Sequence, residues 1–491
     1  MVKQKRGELH IFSRETQTMK EDEKIVHCLV VPFPTQGHIN PMIQFSKRLQ
    51  HEAAIKITLA PTLFIFNETM KHQIPSTTTS SPFTIHPISD GYDEGGFASA
   101  ENFDHYLETF QKVGSRTITE LVQEQKSKGS PVDCIIYDAF MPWVLNVAKN
   151  LSLLGAVFFT MSCAVGNICY HVNSGLLDLP LKKTGDDGDD KLLQLPGLAP
   201  LMATDFPSFI SDFGSYPPFL KMLVDQFSNV KSADWIFCNT IHELEQREVE
   251  WMRKQLPLKA IGPTIPSMYV DKRIENDKTY GLSIYQPRTD MCMKWLNERS
   301  EGSVVYVSFG SMAELKEEQM EELALGLKKS NHYYLWVVRA SEEAKLPRDF
   351  SAEKGLIVTW SPQLDVLSHE AVGCFVTHCG WNSTLEALTL GVAMVAIPVW
   401  TDQGTNAKYV SDVWEIGIRA KKDERGIVVK GEVERCVREV MEGEKGKEMR
   451  RNAANWKGII RKAINENGSS DMNIKEFIAE LSQSKLEKLA H

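Results

Sequence analysis

The chain has 491 residues, 42% of them hydrophobic and 24% charged, with a net charge of −9. That balance, with no basic tract, excludes a nucleic acid or an anionic membrane surface as the natural partner. The length suits two α/β domains with sizeable cores, and no apolar run approaches the ~20 residues of a membrane span.

Residues 1–22 are charged and lack the apolar core of a signal peptide, and a second methionine, Met19, sits closer to the first strand. They are expected to be a disordered extension without function. The nine cysteines are scattered, odd in number and never in CxxC spacing, which suits buried free thiols in a reducing cytoplasm. Residues 25–33 form an unbroken apolar run, expected as a strand covered on both faces. Pro34 to His38 make the turn after it, and Asn40-Pro41 supplies an N-cap and first-turn proline for a helix through Leu49. The strand-helix pattern then repeats, with strands at 55–59, 134–137 and 156–160 and helices at 106–125 and after Pro142. Such alternation predicts a parallel, doubly wound sheet with ligands at the carboxyl ends of its strands. No GxGxxG follows any strand, so a dinucleotide fold is not expected.

Between 177 and 232 the periodicity fades. The acidic piece 185–190 could be imagined as a divalent-metal loop but reads as a solvated loop. A strand at 235–238 and a Glu/Arg-rich helix at 242–256 follow. Ile261-Gly262-Pro263 then marks a change of character, and the polar run 271–285 reads as the link between domains. A second series begins with a strand at 304–309 and its turn Gly310-Ser311. It continues through a helix at 318–329 and a strand at 334–338 to the most informative stretch, 360–403.

That stretch reads as a nucleotide-sugar cradle. Residues 372–377 form a buried strand, His378-Cys379-Gly380 follows its carboxyl end, and a helix is expected to start near Asn382, with Asn382 and Ser383 as N-cap residues and Gly391 at its end. Free N–H groups at such a helix start bind phosphate, with His378 and Ser383 as extra donors. Glu386 can accept two ribose hydroxyls. Trp360 offers an indole face to a flat base, with Ser361 and Gln363 at its edge, and Asp402-Gln403, at the end of a second strand, suits sugar hydroxyls. Taken singly, Trp360, Trp381 and His378 could equally be packing residues.

Jointly, the run from Trp360 through HCGWNS to Asp402-Gln403 closely resembles the signature box of plant family-1 UDP-glycosyltransferases. Two positions depart from it: Ala393 stands where the family usually has Pro, and Val399 where many members have Gln. The resemblance extends from Ile25 to about Leu486 and implies the GT-B fold, two Rossmann-like doubly wound domains facing a cleft. On that basis 23–260 is expected to bind the acceptor, 261–300 to link, 301–466 to bind the UDP-sugar, and 467–491 to form a helix returning to the first domain. The resemblance assigns Thr160, Trp381, Asp402 and Gln403 to the sugar, Trp360 to the uracil and Glu386 to the ribose. It implies no cofactor or metal, with UDP-glucose as donor substrate, no membrane anchor, a cytoplasmic location and a monomer.

Transfer also needs a base. His38 lies on the turn after the first strand, and imidazole titrates near neutrality. Asp138 ends the strand CIIYD, where a carboxylate can orient the imidazole and stabilise its protonated form. The family places its base and its Asp at these positions. Departure of UDP needs no general acid where fixed donors, here the backbone near Asn382 and Ser383 with His378 and Ser311, hold its charge. No pair of carboxylates of the glycosidase kind flanks the reacting bond. The alternative from another class is a catalytically silent UDP-sugar-binding regulator, which intact His38 and Asp138 argue against. The stretches around Gly91 and Tyr269 resemble the branch acting on terpenoids and small aromatic acids. A lipophilic small-molecule acceptor is therefore expected, with Phe140, Met141 and Trp143 near it.

Overall fold

Short runs of β-branched and aromatic residues form the centres of two parallel sheets. The structure, a computed structural model, describes residues 25–53, 55–72, 83–181, 192–348 and 353–490. The 1–22 extension and the acidic 185–190 piece lie outside the described residues.

The first sheet contains β1 (His27–Val31), β2 (Lys56–Leu59), β3 (Thr84–Ile85), β4 (Cys134–Asp138), β5 (Leu154–Phe159), β6 (Trp235–Cys238) and β7 (Leu258–Ala260), in the order β3-β2-β1-β4-β5-β6-β7. The second contains β8 (Val304–Ser308), β9 (Tyr333–Val337), β10 (Gly355–Val358), β11 (Val372–Thr377), β12 (Met394–Ala396) and β13 (Gly417–Arg419), in the order β10-β9-β8-β11-β12-β13. Both sheets are doubly wound and covered on both faces. Along β1 and β4, Leu29, Val31, Ile135 and Tyr137 enter one apolar layer, while Cys28, Val30, Cys134 and Ile136 enter the opposite one. A two-sided core of this kind requires the unbroken apolar runs seen in the sequence.

Each sheet reverses its winding once, between β1 and β4 in the first and between β8 and β11 in the second. A crevice opens at the carboxyl ends of strands at such a point. His38 follows β1 and Asp138 ends β4, whereas Ser311 follows β8 and His378 follows β11. The expected chemistry therefore sits at two switch points, one in each sheet.

One helix differs from its sequence-based expectation in a way that matters. It runs Gln36–Glu52 with Thr35 as N-cap, so Asn40 is not a cap and Pro41 lies inside the helix. His38 is then in the first helical turn. A proline cannot donate to the carbonyl four residues back, here that of Gly37, which is left without its helical partner. The helix expected at 242–256 is, by contrast, shorter, Gln246–Arg253. The stretch of faded periodicity carries the helices Ser208–Ser211 and Pro217–Asp225.

The last helix, Ser469–Ala490, packs on the first sheet, with the Phe477 ring 4.8 Å from that of Phe237 and 5.0 Å from Trp235. A charged hub fixes its start. Arg48 pairs with Asp271 and Asp471, and Arg273 bonds Asp471 at 2.8 Å and Glu52 at 2.9 Å, joining the first long helix, the linking stretch and the last helix.

Candidate active site

His38 Nδ1 lies 2.7 Å from Asp138 Oδ2 and 3.0 Å from Thr160 Oγ1. Asp138 is fully buried, and its other oxygen accepts the Phe140 N–H at 2.9 Å. With Nδ1–H held by the carboxylate, the nitrogen left to take up a proton is Nε2. Phe33 and Phe140 flank the imidazole, with ring centroids at 5.5 and 4.5 Å. The imidazole is thus oriented by a buried carboxylate and walled by apolar rings.

A cavity of about 550 Å³ spans the two switch points. His38 and Thr160 line it from the first domain, and Ser311, Trp360, Ser361, Gln363, His378, Trp381, Asn382, Ser383, Glu386, Asp402 and Gln403 line it from the second. Among the residues expected to carry catalysis or bind the UDP-sugar, Asp138 alone stands behind the lining. Neither Ala393 nor Val399, the two departures from the signature, lines the cavity.

The cradle helix starts one residue before the expected position. It runs Trp381–Leu390 with Gly380 as N-cap and no side-chain cap. Asn382 and Ser383 are not caps because their side chains serve other partners. Asn382 Nδ2 donates to the Gly37 carbonyl at 2.7 Å, and Ser383 Oγ accepts from Gln363 Nε2 at 3.0 Å. The first-turn N–H groups are therefore uncapped by any side chain, the arrangement that suits an anion. Cys379, just before the helix, has φ 63°, and Thr401, before Asp402-Gln403, has φ 56°. Left-handed conformations at such residues cost free energy and gather at functional turns. His378 is wedged against Gly310 and Gly380, where a Cβ would come within 2.8 Å and 2.5 Å of its ring. Burial pushes its pKa down to about 4, so it is a neutral imidazole at physiological pH.

Glu386 is buried, and its oxygens accept from Gln363 Nε2 and from Tyr280 OH, each at 2.7 Å. Burial raises its pKa and these two bonds oppose the rise. Tyr306 OH lies 2.8 Å from Ser361 Oγ and donates to Gln363 Oε1 at 3.0 Å, completing the polar edge beside Trp360. Asp402 is buried and accepts from Thr401 Oγ1 and Asn406 Nδ2, both at 2.7 Å. Burial raises its pKa as well. Gln403 Oε1 accepts the N–H groups of Val399 and Trp400 at 2.8 and 3.0 Å, which leaves its amide NH₂ as the group available to a ligand. The Trp381 indole turns away, its Nε1 donating to the Asn239 carbonyl of the first domain at 2.8 Å.

Phe140 reaches the cavity as the sequence suggested, whereas Met141 and Trp143 do not. Met141 is buried, and Trp143 packs edge-on to Phe110 at 5.4 Å. The apolar wall comes instead from Met161, Phe209, Phe219, Met222, Leu223 and Trp400. Sequence reading also missed Asn406, which bonds Asp402, the Cys379 carbonyl and Ser162 of the first domain. Its spacing of four from Asp402, on one helix face, was the available signal. Tyr280 and Tyr285 of the linking stretch carried no such signal.

Residues 219–454 match the family model described as UDP-glucoronosyl and UDP-glucosyl transferase. The chain is 48% identical over 463 residues to flavonol 7-O-beta-glucosyltransferase UGT74F1 of Arabidopsis thaliana, covering 93% of this chain and 98% of that protein. It is 45% identical to mogroside I-E synthase of Siraitia grosvenorii, covering 93% and 99%. Among solved structures, Os79 from O. sativa in complex with UDP superposes with a TM-score of 0.86 at 38% identity, covering 92% of this chain and all of that one. Phytolacca americana UGT2, complexed with UDP-2fluoro-glucose and pterostilbene, gives 0.76 at 27% identity, covering 93% and 100%. Identity of this degree over almost the whole of both chains, on the same pair of facing sheets, makes this chain a member of the plant UDP-glycosyltransferases, GT-B enzymes whose donor substrate is a UDP-sugar.

Proposed function

We propose that the enzyme transfers glucose from UDP-glucose, with inversion, to a hydroxyl or carboxyl group of a lipophilic small molecule. The observation that carries this reading is the His38–Asp138 pair, 2.7 Å apart, at a cavity with an aromatic wall on one side and the cradle on the other. The acceptor lies against Phe140, Phe209, Phe219 and Trp400, with its nucleophile at His38 Nε2. The base takes the proton as the oxygen attacks the anomeric carbon, and Asp138 stabilises the imidazolium that forms. UDP leaves on the opposite face. Its diphosphate is held by the uncapped start of helix Trp381–Leu390 with Ser311, Ser383 and neutral His378 as donors, so the developing charge meets fixed dipoles.

Trp360 stacks on the uracil, Ser361 and Gln363 bind its edge, and Glu386 takes the ribose diol. Asp402 accepts from sugar hydroxyls, the Gln403 amide donates to them, and Thr160 and Trp381 bound the sugar beside the base. Glucose as the sugar is supported by Gln403, the family's glucose-associated residue. Relatives named for a flavonol and a mogroside, and solved ones holding a trichothecene or pterostilbene, support a small lipophilic acceptor. Unpaired, buried cysteines at all nine positions support action in the cytoplasm.

His38→Ala tests the reading. Transfer to an aliphatic alcohol falls on the order of 10²- to 10⁴-fold, the usual value of a general base, while UDP affinity measured by calorimetry stays near wild type. A carboxylic acid with a pKa near ~4 is already ionised at neutral pH, so transfer to it falls less. Unchanged alcohol turnover in the variant refutes the mechanism.

A further inference from the structure

The linking stretch does more than connect the domains, because three of its tyrosines reach the donor cradle. Tyr269 OH donates to Asp365 on the short helix Gln363–Ser368. The Tyr285 ring stacks on Trp360 with centroids 4.1 Å apart and planes 20° from parallel. Tyr280 OH donates to Glu386 Oε1 at 2.7 Å. The same stretch is pinned to the first domain on its other side. Gln36 donates to the Leu282 carbonyl at 2.9 Å and accepts the Ile284 N–H at 3.1 Å, while Gln44 and Lys47 donate to the Thr279 carbonyl at 3.0 and 2.7 Å. Tyr280 is therefore held on both sides of its own backbone, and its hydroxyl has one well-defined place.

That place governs Glu386. The carboxylate is 4% exposed, and burial works against its ionised form. Tyr280 and Gln363 each engage one oxygen, so each oxygen keeps a further lone pair. Two free lone pairs, one per oxygen, match the two donors of a vicinal diol. We propose that Tyr280 is a positioning residue of the UDP-sugar site, whose hydroxyl holds the Glu386 carboxylate in place and aims its free lone pairs at the ribose diol. The proposal rests on the reading of Glu386 as the ribose acceptor. The phenol must stay protonated to donate, and burial together with the nearby Glu386 charge holds its pKa well above the ordinary tyrosine value.

The experiment measures calorimetric affinities of the full chain for UDP and 2′-deoxy-UDP in wild type, Tyr280→Phe and Glu386→Ala. Wild type prefers UDP. In Tyr280→Phe, UDP affinity falls about 10-fold, as for loss of one hydrogen bond to a charged group, and the preference for UDP over the deoxy form shrinks. KM for UDP-glucose rises while kcat changes little. Loss of the Tyr280 donor also raises the pKa of Glu386, so the acid-side rise in KM begins at a higher pH than in wild type. A merely structural role moves neither the ribose preference nor that pH limb, and a melting temperature near wild type establishes that the isosteric variant is folded. Unchanged preference in Tyr280→Phe, or tighter UDP binding, overturns the proposal. If Glu386→Ala abolishes the preference while Tyr280→Phe leaves it intact, only the Tyr280 role fails. If Glu386→Ala leaves it intact, the ribose assignment fails and the proposal falls with it.

Discussion

His378 and His27 show how burial sets the charge of single residues here. Both have their pKa pushed down to about 4 from an ordinary 6.5, chiefly by burial. His27 is held between the Ser130 carbonyl at 2.9 Å and Thr58 Oγ1 at 2.8 Å, a pattern that a neutral imidazole satisfies. Between pH 4 and 6.5 the unfolded chain binds more protons at these sites than the folded one, so stability rises with pH across that window and is lost as pH falls through it. A depression of this size corresponds to roughly 3 kcal/mol per histidine at the acid end. Urea midpoints from pH 4 to 7 therefore fall steeply on the acid side, and His27→Gln flattens the slope. An identical slope in the variant refutes the assignment. At this scale the sequence was informative wherever a residue ends a strand. The His38–Asp138 contact follows from two adjacent parallel strands, β1 and β4, and is legible once each is seen as an apolar run. Tyr280 was not legible, because a polar linker carries no periodic signal of the site it serves, and Asn406 offered only its spacing of four from Asp402.

At the scale of elements, helix starts were the least readable feature. Asn40-Pro41 and Asn382-Ser383 both have cap chemistry, yet Thr35 and Gly380 are the caps. In the second pair the polar side chains bond Gly37 and Gln363 instead, so a tertiary partner displaced the local use. The aromatic wall of the cavity was missed for a related reason. Helices Ser208–Ser211 and Pro217–Asp225 carry Phe209 and Phe219 in a stretch of weak periodicity, and these rings pack on Trp400 from the other domain at 5.8 and 5.7 Å. Phe219 also stacks on Phe103 at 4.2 Å, so it is rigidly placed. Phe219→Ala is expected to lower kcat/KM for a polycyclic acceptor by about 10- to 100-fold, the range of one large apolar contact, with UDP affinity unchanged. An acceptor series graded by size decides this, since equal losses for a small phenol and a polycyclic acceptor would place Phe219 outside the pocket.

Across the whole molecule the two doubly wound sheets were readable from alternation alone, whereas the ties between them were not. The hub of Arg48, Arg273, Asp271 and Asp471 joins residues hundreds of positions apart, and no local pattern announces such a pairing. The same holds for Lys485, whose Nζ lies 3.0 Å from both oxygens of Asp133 beside β4. The last helix is thereby part of the first domain's core. Phe477 is fully buried against Phe45, Trp235 and Phe237, and Phe477→Ala should cost about 3–5 kcal/mol, the usual range for emptying an aromatic core site. Thermal unfolding followed by tryptophan fluorescence measures it. A shift of under a degree would mean that the helix is only loosely laid on the sheet.

Pro41 helps to join the two sides of the cleft. By denying the Gly37 carbonyl its helical donor, it leaves an acceptor beside His38 that Asn382 of the cradle satisfies at 2.7 Å. Such a bond contributes only about 1 kcal/mol net, a light tie between the turn that bears His38 and the start of the cradle helix. With another residue at position 41 the Gly37 carbonyl would enter the helical ladder, and Asn382 would have to share it with that residue's N–H.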